Sequence, residues 1–438
     1  LAREASRAGL AVALFEKNDF GAGVTSRATR LIHGGLRYLE SFQFGLVRES
    51  LRDRRVWIDD FPGQAEPLRF LIPVYADDRR APWYIRVGLN LYGLLARDPR
   101  LSEHSALRPA AAEAMAPALD RNGLRAAFLY WDGQATFPER VCLEMALQAE
   151  EAGALVRNHA PVEAFLREGS RVAGVRAGGQ EYRARLTINA SGAWIDRVAG
   201  LLGRESRLLT RLNGAHIVVR PFEGGPAAAV YREARSDGRP FFIVPWNDAL
   251  LIGTTETPYD GDPERVLPLD SEIEYLLREA NLLFPGAKLT GDSVLYGYAG
   301  SRPLVRATGP NMNAASRDHR IHDHAREEGV EGLLTLVGGK LTTAPSFAAK
   351  LGKPAPSRSG TPAAPPDGFL AAEPRLARVY GPRTPELLAY LGADPALREP
   401  VCPGAPVTAG EIAFALEREK AATLGDVLLR RTMLAYHA

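Results

Sequence analysis

The sequence predicts an α/β protein: a doubly wound parallel sheet, an inserted antiparallel β-rich domain, and a small C-terminal helical domain. Three observations predict it. The first residues run helix, glycine, apolar strand, acid. Apolar strands meet glycine turns at three places along the chain. Between them, residues 212–310 hold many short β-like runs and a single helical pattern at 271–283.

In "LAREASRAGLAVALFE", Ala2, Ala5 and Ala8 give the small face of a helix that Gly9 stops. "LAVALFE" then reads as a short, fully buried strand closed by Glu16. That order is the second half of a βαβ unit, whose closing acid in a dinucleotide-binding fold accepts hydrogen bonds from a ribose. The first half, a strand and G-x-G-x-x-G, is expected within about 15–30 further residues upstream of Leu1. Residues 42–61 form an amphipathic helix stopped by Pro62, and 139–152 a helix ended by Gly153. "APWYIRVGLNLYGLLA" (81–96) is apolar on most sides, which suits either a core or interdomain helix or one lying on a membrane surface. Residues 154–177 read as a β-meander, "ARLTINASGAW" as strand and glycine turn, and "GLLTLVGGKLTTAPSFAAKLG" as strand, double glycine, helix. The proline-rich 352–368 is a linker, and 369–438 the helical domain. The remaining chain divides into 1–75, 137–210 and 330–351 for a cofactor domain, and 76–136 and 211–329 for a substrate domain.

With 54 basic and 52 acidic residues among 438, the chain has no global pull toward nucleic acid. Two cysteines far apart in sequence exclude a disulfide scaffold and fit a reducing cytoplasm. No apolar run of about 18 residues predicts a membrane span. "DHRIHDH" places His322 and His324 on one face of a strand and His319 on the other, and no metal site is assigned there.

The turns "IHGGLRY", "ASGAWI" and "VGGKLTT" explain a cost: glycine inside such runs costs about 1 kcal/mol against alanine, and bare backbone lets a flat ligand lie close. "FEKNDFGAGVTSRATRLIHGGLRYLE", "NGAHIVV", "GSRPLV", "SRDHRI", "VGGKLTT" and "YGPRTPELL" follow one another in an order that resembles the FAD-dependent glycerol-3-phosphate dehydrogenase family, related in fold to D-amino-acid oxidase. The resemblance spans nearly the whole chain and is weakest over 98–140 and the linker. The run 133–141 is less acidic than the family's, and "TTAPSFA" lacks the tyrosine–arginine pair that often follows "KLTT".

The resemblance implies a Rossmann-like FAD-binding fold with FAD as cofactor. Glu16 would face the ribose, and Thr25, Ser26, His33, Gly34 and Gly35 would lie along the cofactor. Ala190, Gly192 and Trp194 would stand near the adenine and pyrophosphate, and the backbone of Val162 would meet the adenine. Gly338, Gly339, Lys340, Leu341 and Thr342 would set a helix N-terminus under the flavin pyrimidine. Arg37, Arg302 and Arg317 would grip the phosphate of glycerol 3-phosphate, with Lys340 and Tyr38 beside it. His216, with an ordinary pKa near 6.5, would take the C2 hydroxyl proton. The products would be dihydroxyacetone phosphate and electrons for a quinone. Oxygen as acceptor, a flavin-free binding role, peripheral membrane contact and a homodimer are left open.

Overall fold

The longest strands form around apolar runs such as "RFLIPVY", "AFLYW" and "AHIVV". In the computed structural model, which describes residues 1–306, 319–351 and 373–436, Ala65–Tyr75 pairs antiparallel with Leu124–Ala135 along almost its full length. Leu209–Val219 pairs likewise with Val294–Val305. Both pairs belong to one ten-stranded sheet, which also takes in Leu31–Ile32, His104–Leu107, Ala229–Glu233, Pro240–Trp246, Ala249–Gly253 and Thr257–Pro258. Strand 65–75 thus stands inside the large sheet, although the sequence groups it with the cofactor domain.

Neighbouring residues in these strands feed opposite cores. Ile217, Ile243 and Ile252 face one side with Leu276, Ala280 and Leu283 of helix Asp270–Leu283. Val218, Val244 and Leu251 face the other with Val47 and Leu51 of helix Phe44–Asp60 and Leu89 of helix Pro82–Ala96. The period of two therefore yields a sheet buried on both faces, with little polar alternation in the sequence.

Within the large sheet Ala229–Glu233 runs parallel to Ala65–Tyr75, and the other parallel pairs are short and lie in separate small sheets. Ala13–Phe15 pairs with Leu155–Arg157, and Thr187–Asn189 with Leu333–Gly338. On the far side of 333–338 runs the antiparallel edge strand His319–Asp323. Strand 13–15 is half-buried to exposed instead of fully buried, because Leu155–Arg157 is its sole partner among the described residues. Val162–Glu168, Arg171–Ala177 and Gln180–Arg183 form a meander.

Helix 44–60 stops at Phe61 before Pro62, which cannot continue it. Helix Pro138–Glu151 has proline in its first turn and ends at Ala152, before Gly153 in the left-handed region (φ 93°). The C-terminal helices Pro374–Tyr380, Thr384–Gly392 and Ala409–Glu417 are followed by residues 419–431, which dock this part through buried ion pairs. Arg140 donates to both oxygens of Glu419 at 2.8 and 2.6 Å, and Arg431 to both of Asp19 at 2.6 and 2.8 Å. Among the described residues no helix is long and apolar enough to cross a membrane.

Candidate active site

Strand 31–32 pairs with Gln134 and Gly133 and delivers His33-Gly34-Gly35 to the end of the large sheet. Gly35 takes the left-handed conformation (φ 76°) that starts the 3-10 turn Leu36–Leu39. A Cβ on Gly34 would collide with the Tyr92 hydroxyl and lie 2.5 Å from Leu51 Cδ2, so the turn lies tight against helices 44–60 and 82–96. Behind it, Asp132 Oδ1 accepts the Gly34 N–H at 3.2 Å and an Arg54 N–H at 2.8 Å. Its other oxygen accepts the Tyr92 hydroxyl at 2.7 Å. Burial pushes the Asp132 carboxyl upward, and Arg54 opposes it.

The second double glycine lies alongside. Gly338 and Gly339 both have positive φ (77° and 95°) and turn the chain out of strand 333–338. The His33 N–H donates to Thr342 Oγ1 at 3.3 Å, and Trp57 Nε1 donates to the Thr342 carbonyl at 2.9 Å. Lys340 Nζ stands 4.2 Å above the Tyr38 ring. Leu341 packs beside Ile32 and Trp57. The helix that follows, Ala344–Ala349, has its first turn partly occupied: Asp53 accepts the Ser346 N–H at 3.1 Å and its hydroxyl at 2.5 Å.

His216 sits mid-strand, opposite Gly253 on one side and Tyr298 on the other. Its imidazole lies over Gly253, where a Cβ would strike it, and stacks on Tyr298 at 5.0 Å and 23°. Nε2 lies 2.9 Å from Thr29 Oγ1, while Nδ1 is buried with no hydrogen-bond partner. Burial first, then the charges of Arg302 and Arg30, push the ring down to about 3, far below the ordinary value the sequence suggests. The Arg302 guanidinium crosses Gly214, whose missing side chain admits it. It donates to Thr254 Oγ1 at 2.6 Å, Glu256 Oε1 at 3.1 Å and the Thr255 carbonyl at 3.3 Å.

Segment 16–35 links this corner to the other end. Thr25 and Ser26 belong to the half-buried 3-10 turn Val24–Arg27, where the Ser26 hydroxyl donates to the Gly23 carbonyl at 2.9 Å. That turn leans on strand 294–305, with Arg27 against Gly300. Gly23 touches the Trp194 ring, and Lys17 stands 4.2 Å above it. Trp194 Nε1 is buried without a hydrogen-bond partner. Glu16 closes strand 13–15 and accepts the Asn18 N–H at 3.0 Å; burial pushes its carboxyl up. Gly192 (φ 58°) has open space where a Cβ would stand, Ala190 is exposed, and Val162 opens the meander. A cavity of about 270 Å³ opens beside Trp194, lined by Asp196, Arg197, Arg211 and Asp262.

The structure thus brings His216, Arg302 and Thr29 to one corner, and His33, Tyr38, Lys340 and Thr342 to the adjoining pair of turns. Arg37 is exposed on turn 36–39, its charge acting on the Tyr231 hydroxyl. Arg317 lies outside the described residues. Sequence reasoning missed Asp132, Thr29, Thr254, Glu256 and Tyr298. Only Asp132 left a signal: a lone acid in the apolar run "LRAAFLYWDGQA". The residues fit an elongated flavin nucleotide. Buried, unpartnered Trp194 Nε1 and His216 Nδ1 mark the two ends of segment 16–35, with bare glycine backbone between and beside them.

Comparison with known proteins agrees with that fit. The family described as "FAD dependent oxidoreductase" matches residues 1–351, and "C-terminal domain of alpha-glycerophosphate oxidase" matches 363–438. A glycerol-3-phosphate dehydrogenase of Synechocystis sp. is 36% identical over 99% of this chain and 86% of its own. The aerobic glycerol-3-phosphate dehydrogenase of Staphylococcus saprophyticus is 32% identical over 78% of this chain, a match that spans 62% of the staphylococcal protein. Among solved structures, the glycerol-3-phosphate dehydrogenase from Bacillus halodurans complexed with FAD shares the fold at a TM-score of 0.75 and 24% identity, covering 100% of this chain and 84% of that one. The L-alpha-glycerophosphate oxidase of Mycoplasma pneumoniae with FAD bound shares it at 0.61 and 17%, over 80% and 89%. With both its segments matched, the chain belongs to the FAD-dependent oxidoreductases, in their glycerol-3-phosphate dehydrogenase branch.

Proposed function

We propose that the chain oxidises sn-glycerol 3-phosphate at C2 to dihydroxyacetone phosphate and delivers the electrons to a quinone. One observation carries the reading: His216 Nδ1, buried and without a hydrogen-bond partner, stands in the field of the Arg302 guanidinium. A spare ring nitrogen beside a positioned guanidinium suits a hydroxyl next to a phosphate ester.

Glu16, Val162, Ala190, Gly192 and Trp194 would hold the adenosine and pyrophosphate end of FAD. Thr25, Ser26, His33, Gly34, Gly35 and Gly338–Thr342 would hold its ring end. Bound FAD would supply a hydride acceptor at N5. Arg302, joined by Arg37 and Arg317, grips the phosphate dianion, each charge-assisted contact contributing about 1.5–3 kcal/mol. Lys340 and Tyr38 orient the glycerol. His216 is neutral at neutral pH, and Thr29 on Nε2 leaves Nδ1 for the C2 hydroxyl proton. The incoming dianion offsets the Arg302 charge and so raises the basicity of His216 as substrate binds. The partition of the chain into cofactor and substrate domains belongs to the same reading.

A quinone is reached at a membrane surface, and helix 82–96 supports one. It buries Leu89, Tyr92 and Ala96, and turns Trp83 (68% exposed), Val87 (57%) and Leu94 (73%) outward in a single row. Oxygen is the second reading, favoured by the oxidase description that residues 363–438 match. The test is anaerobic titration of the FAD-loaded chain with glycerol 3-phosphate, then reoxidation by a quinone analogue or by oxygen. The proposal expects the flavin band to bleach and quinone to restore it with little peroxide. A band unchanged by glycerol 3-phosphate refutes the substrate, and stoichiometric peroxide with slow quinone turnover refutes the acceptor.

A further inference from the structure

The edge strand His319–Asp323 runs directly into helix His324–Glu328, and the corner gathers a set of donors that flavin chemistry does not use. We infer that this corner binds a divalent transition-metal ion of the zinc class. Its ligands are His322 Nε2, His324 Nδ1 and the Glu328 carboxylate.

The sequence spacing H-x-H-x-x-x-E creates the set. His324 and Glu328 stand four apart on one helical face, and His322 reaches them from the last turn of the strand. His322 and His324 are buried to 4% and 1% exposure, and their rings cross at 83° with centroids 4.4 Å apart. His322 Nε2 lies 2.7 Å from Glu328 Oε1, and His324 Nδ1 lies 3.0 Å from Glu328 Oε2. All three donors fall within 4.8 Å of one another. A tetrahedral zinc ion with bonds of about 2.0–2.2 Å needs donors about 3.3 Å apart, so small side-chain shifts complete the site. The outer nitrogens are placed as metal-bound histidines require. His324 Nε2 meets Thr335 Oγ1 at 2.8 Å, and by donating its proton there it would leave Nδ1 bare for a metal. His322 Nδ1 is 3.1 Å from Glu327 Oε2, out of line for a hydrogen bond, and a small ring rotation on metal binding would align it.

Arg204 pairs with Glu328 and Arg320 with Glu327, but both arginines are nearly half exposed and can swing into solvent. The contrasting set Asp19, His159 and Asp426 is already closed, because Arg430 and Arg431 take its carboxylates. A metal at the corner would fasten the end of strand 319–323 to helix 324–328, with Thr335 of strand 333–338 behind His324. His322 pairs with Thr335, about 10 Å along the strand from the Gly338 turn.

The test is equilibrium dialysis of the chelator-treated full chain against Zn²⁺, with bound metal measured directly, repeated for His322→Gln, Glu328→Gln and His159→Gln. Co²⁺ substitution supplies a ligand-field spectrum. The inference expects one equivalent of Zn²⁺, a tetrahedral Co²⁺ spectrum, and a thermal midpoint raised by Zn²⁺. His159→Gln keeps all three, and the two corner variants lose them. Glu328 is partly exposed, so Glu328→Gln is the variant that keeps its fold if His322→Gln does not. No stoichiometric Zn²⁺ in the parent, or equal Zn²⁺ in parent and Glu328→Gln, overturns the inference and leaves a cluster of histidine–glutamate hydrogen bonds.

Discussion

The Gly34 N–H donates to Asp132 Oδ1 at 3.2 Å, from the strand behind the turn. The same carboxylate holds Arg54 and Tyr92, so helices 44–60 and 82–96 and strand 124–135 all fix one peptide group. Asp132→Ala leaves the Arg54 guanidinium buried without its charge partner. Breaking such a pair costs about 3–5 kcal/mol. Denaturant unfolding should show that loss together with weaker FAD retention at native conditions. A loss below about 1 kcal/mol, the scale of an exposed pair, would mean that Asp132 does not brace the turn.

Gly34→Ala tests the same turn from the front. Its Cβ would meet Leu51 and Tyr92, both buried, and overpacking of that kind costs about 1–3 kcal/mol. The two helices must part or the turn must move, so FAD affinity should fall more than the unfolding free energy does. Isothermal titration of the cofactor-stripped variant with FAD measures it, and parental affinity would show that the close approach is idle.

Arg302 is held by Thr254 and Glu256. Arg302→Lys loses the planar fork and keeps the charge. Losing a charge-assisted contact of about 1.5–3 kcal/mol predicts a KM for glycerol 3-phosphate raised about 10- to 150-fold. FAD content should stay parental. Steady-state kinetics with flavin quantitation separates the two effects, and an unchanged KM would remove Arg302 from the phosphate site.

What the sequence made legible was local. Helix 44–60 is announced by its periodicity and its stop at Pro62, and the glycine turns by their place after apolar strands. Helix 270–283 fell within a residue of its expected start. What escaped depends on residues distant in the chain. Asp132 meets Gly34 across 98 positions and Arg54 across 78, and no spacing rule links them. Strand 65–75 reads like any apolar strand, and its pairings with 124–135 and 229–233 assign it to the large sheet. His324 was expected on a strand; Asp323 instead caps a helix by accepting the Ala325 N–H, and His324 becomes that helix's first residue. The depressed basicity of His216 escaped because burial and two arginines cause it, and none of these is visible around "NGAHIVV".

The docking of the C-terminal helices has its own test. Arg140 and Glu419 are buried to 1% and 0% exposure and share two hydrogen bonds. Glu419→Ala leaves Arg140 uncompensated between the two parts of the protein, at a cost of about 3–5 kcal/mol. The C-terminal helices should then become the first segment to exchange amide hydrogens and to be cut by protease. Uniform destabilisation with no preferential opening of 373–436 would show that the pair does not govern docking.

His216 gives the acid limb of the stability profile. Its folded pKa of about 3 lies below the ordinary 6.5. Between those values the unfolded chain binds a proton that the folded chain refuses. Stability therefore falls as pH drops from about 6.5 toward 3 and is indifferent to this group above that window. His216→Gln keeps a side chain of similar reach for Thr29 and removes the titration, so its stability should fall less steeply over the same range. The measurement is the difference in denaturant unfolding free energy between parent and variant at stepped pH. Asp19, held below the ordinary range by Arg431, and Asp426, held there by the Ala422 N–H and Arg430, cancel in that difference. A pH-independent difference would mean that His216 is protonated as readily in the fold as outside it. Its Nδ1 would then carry a proton in acid, where the proposed mechanism needs it bare.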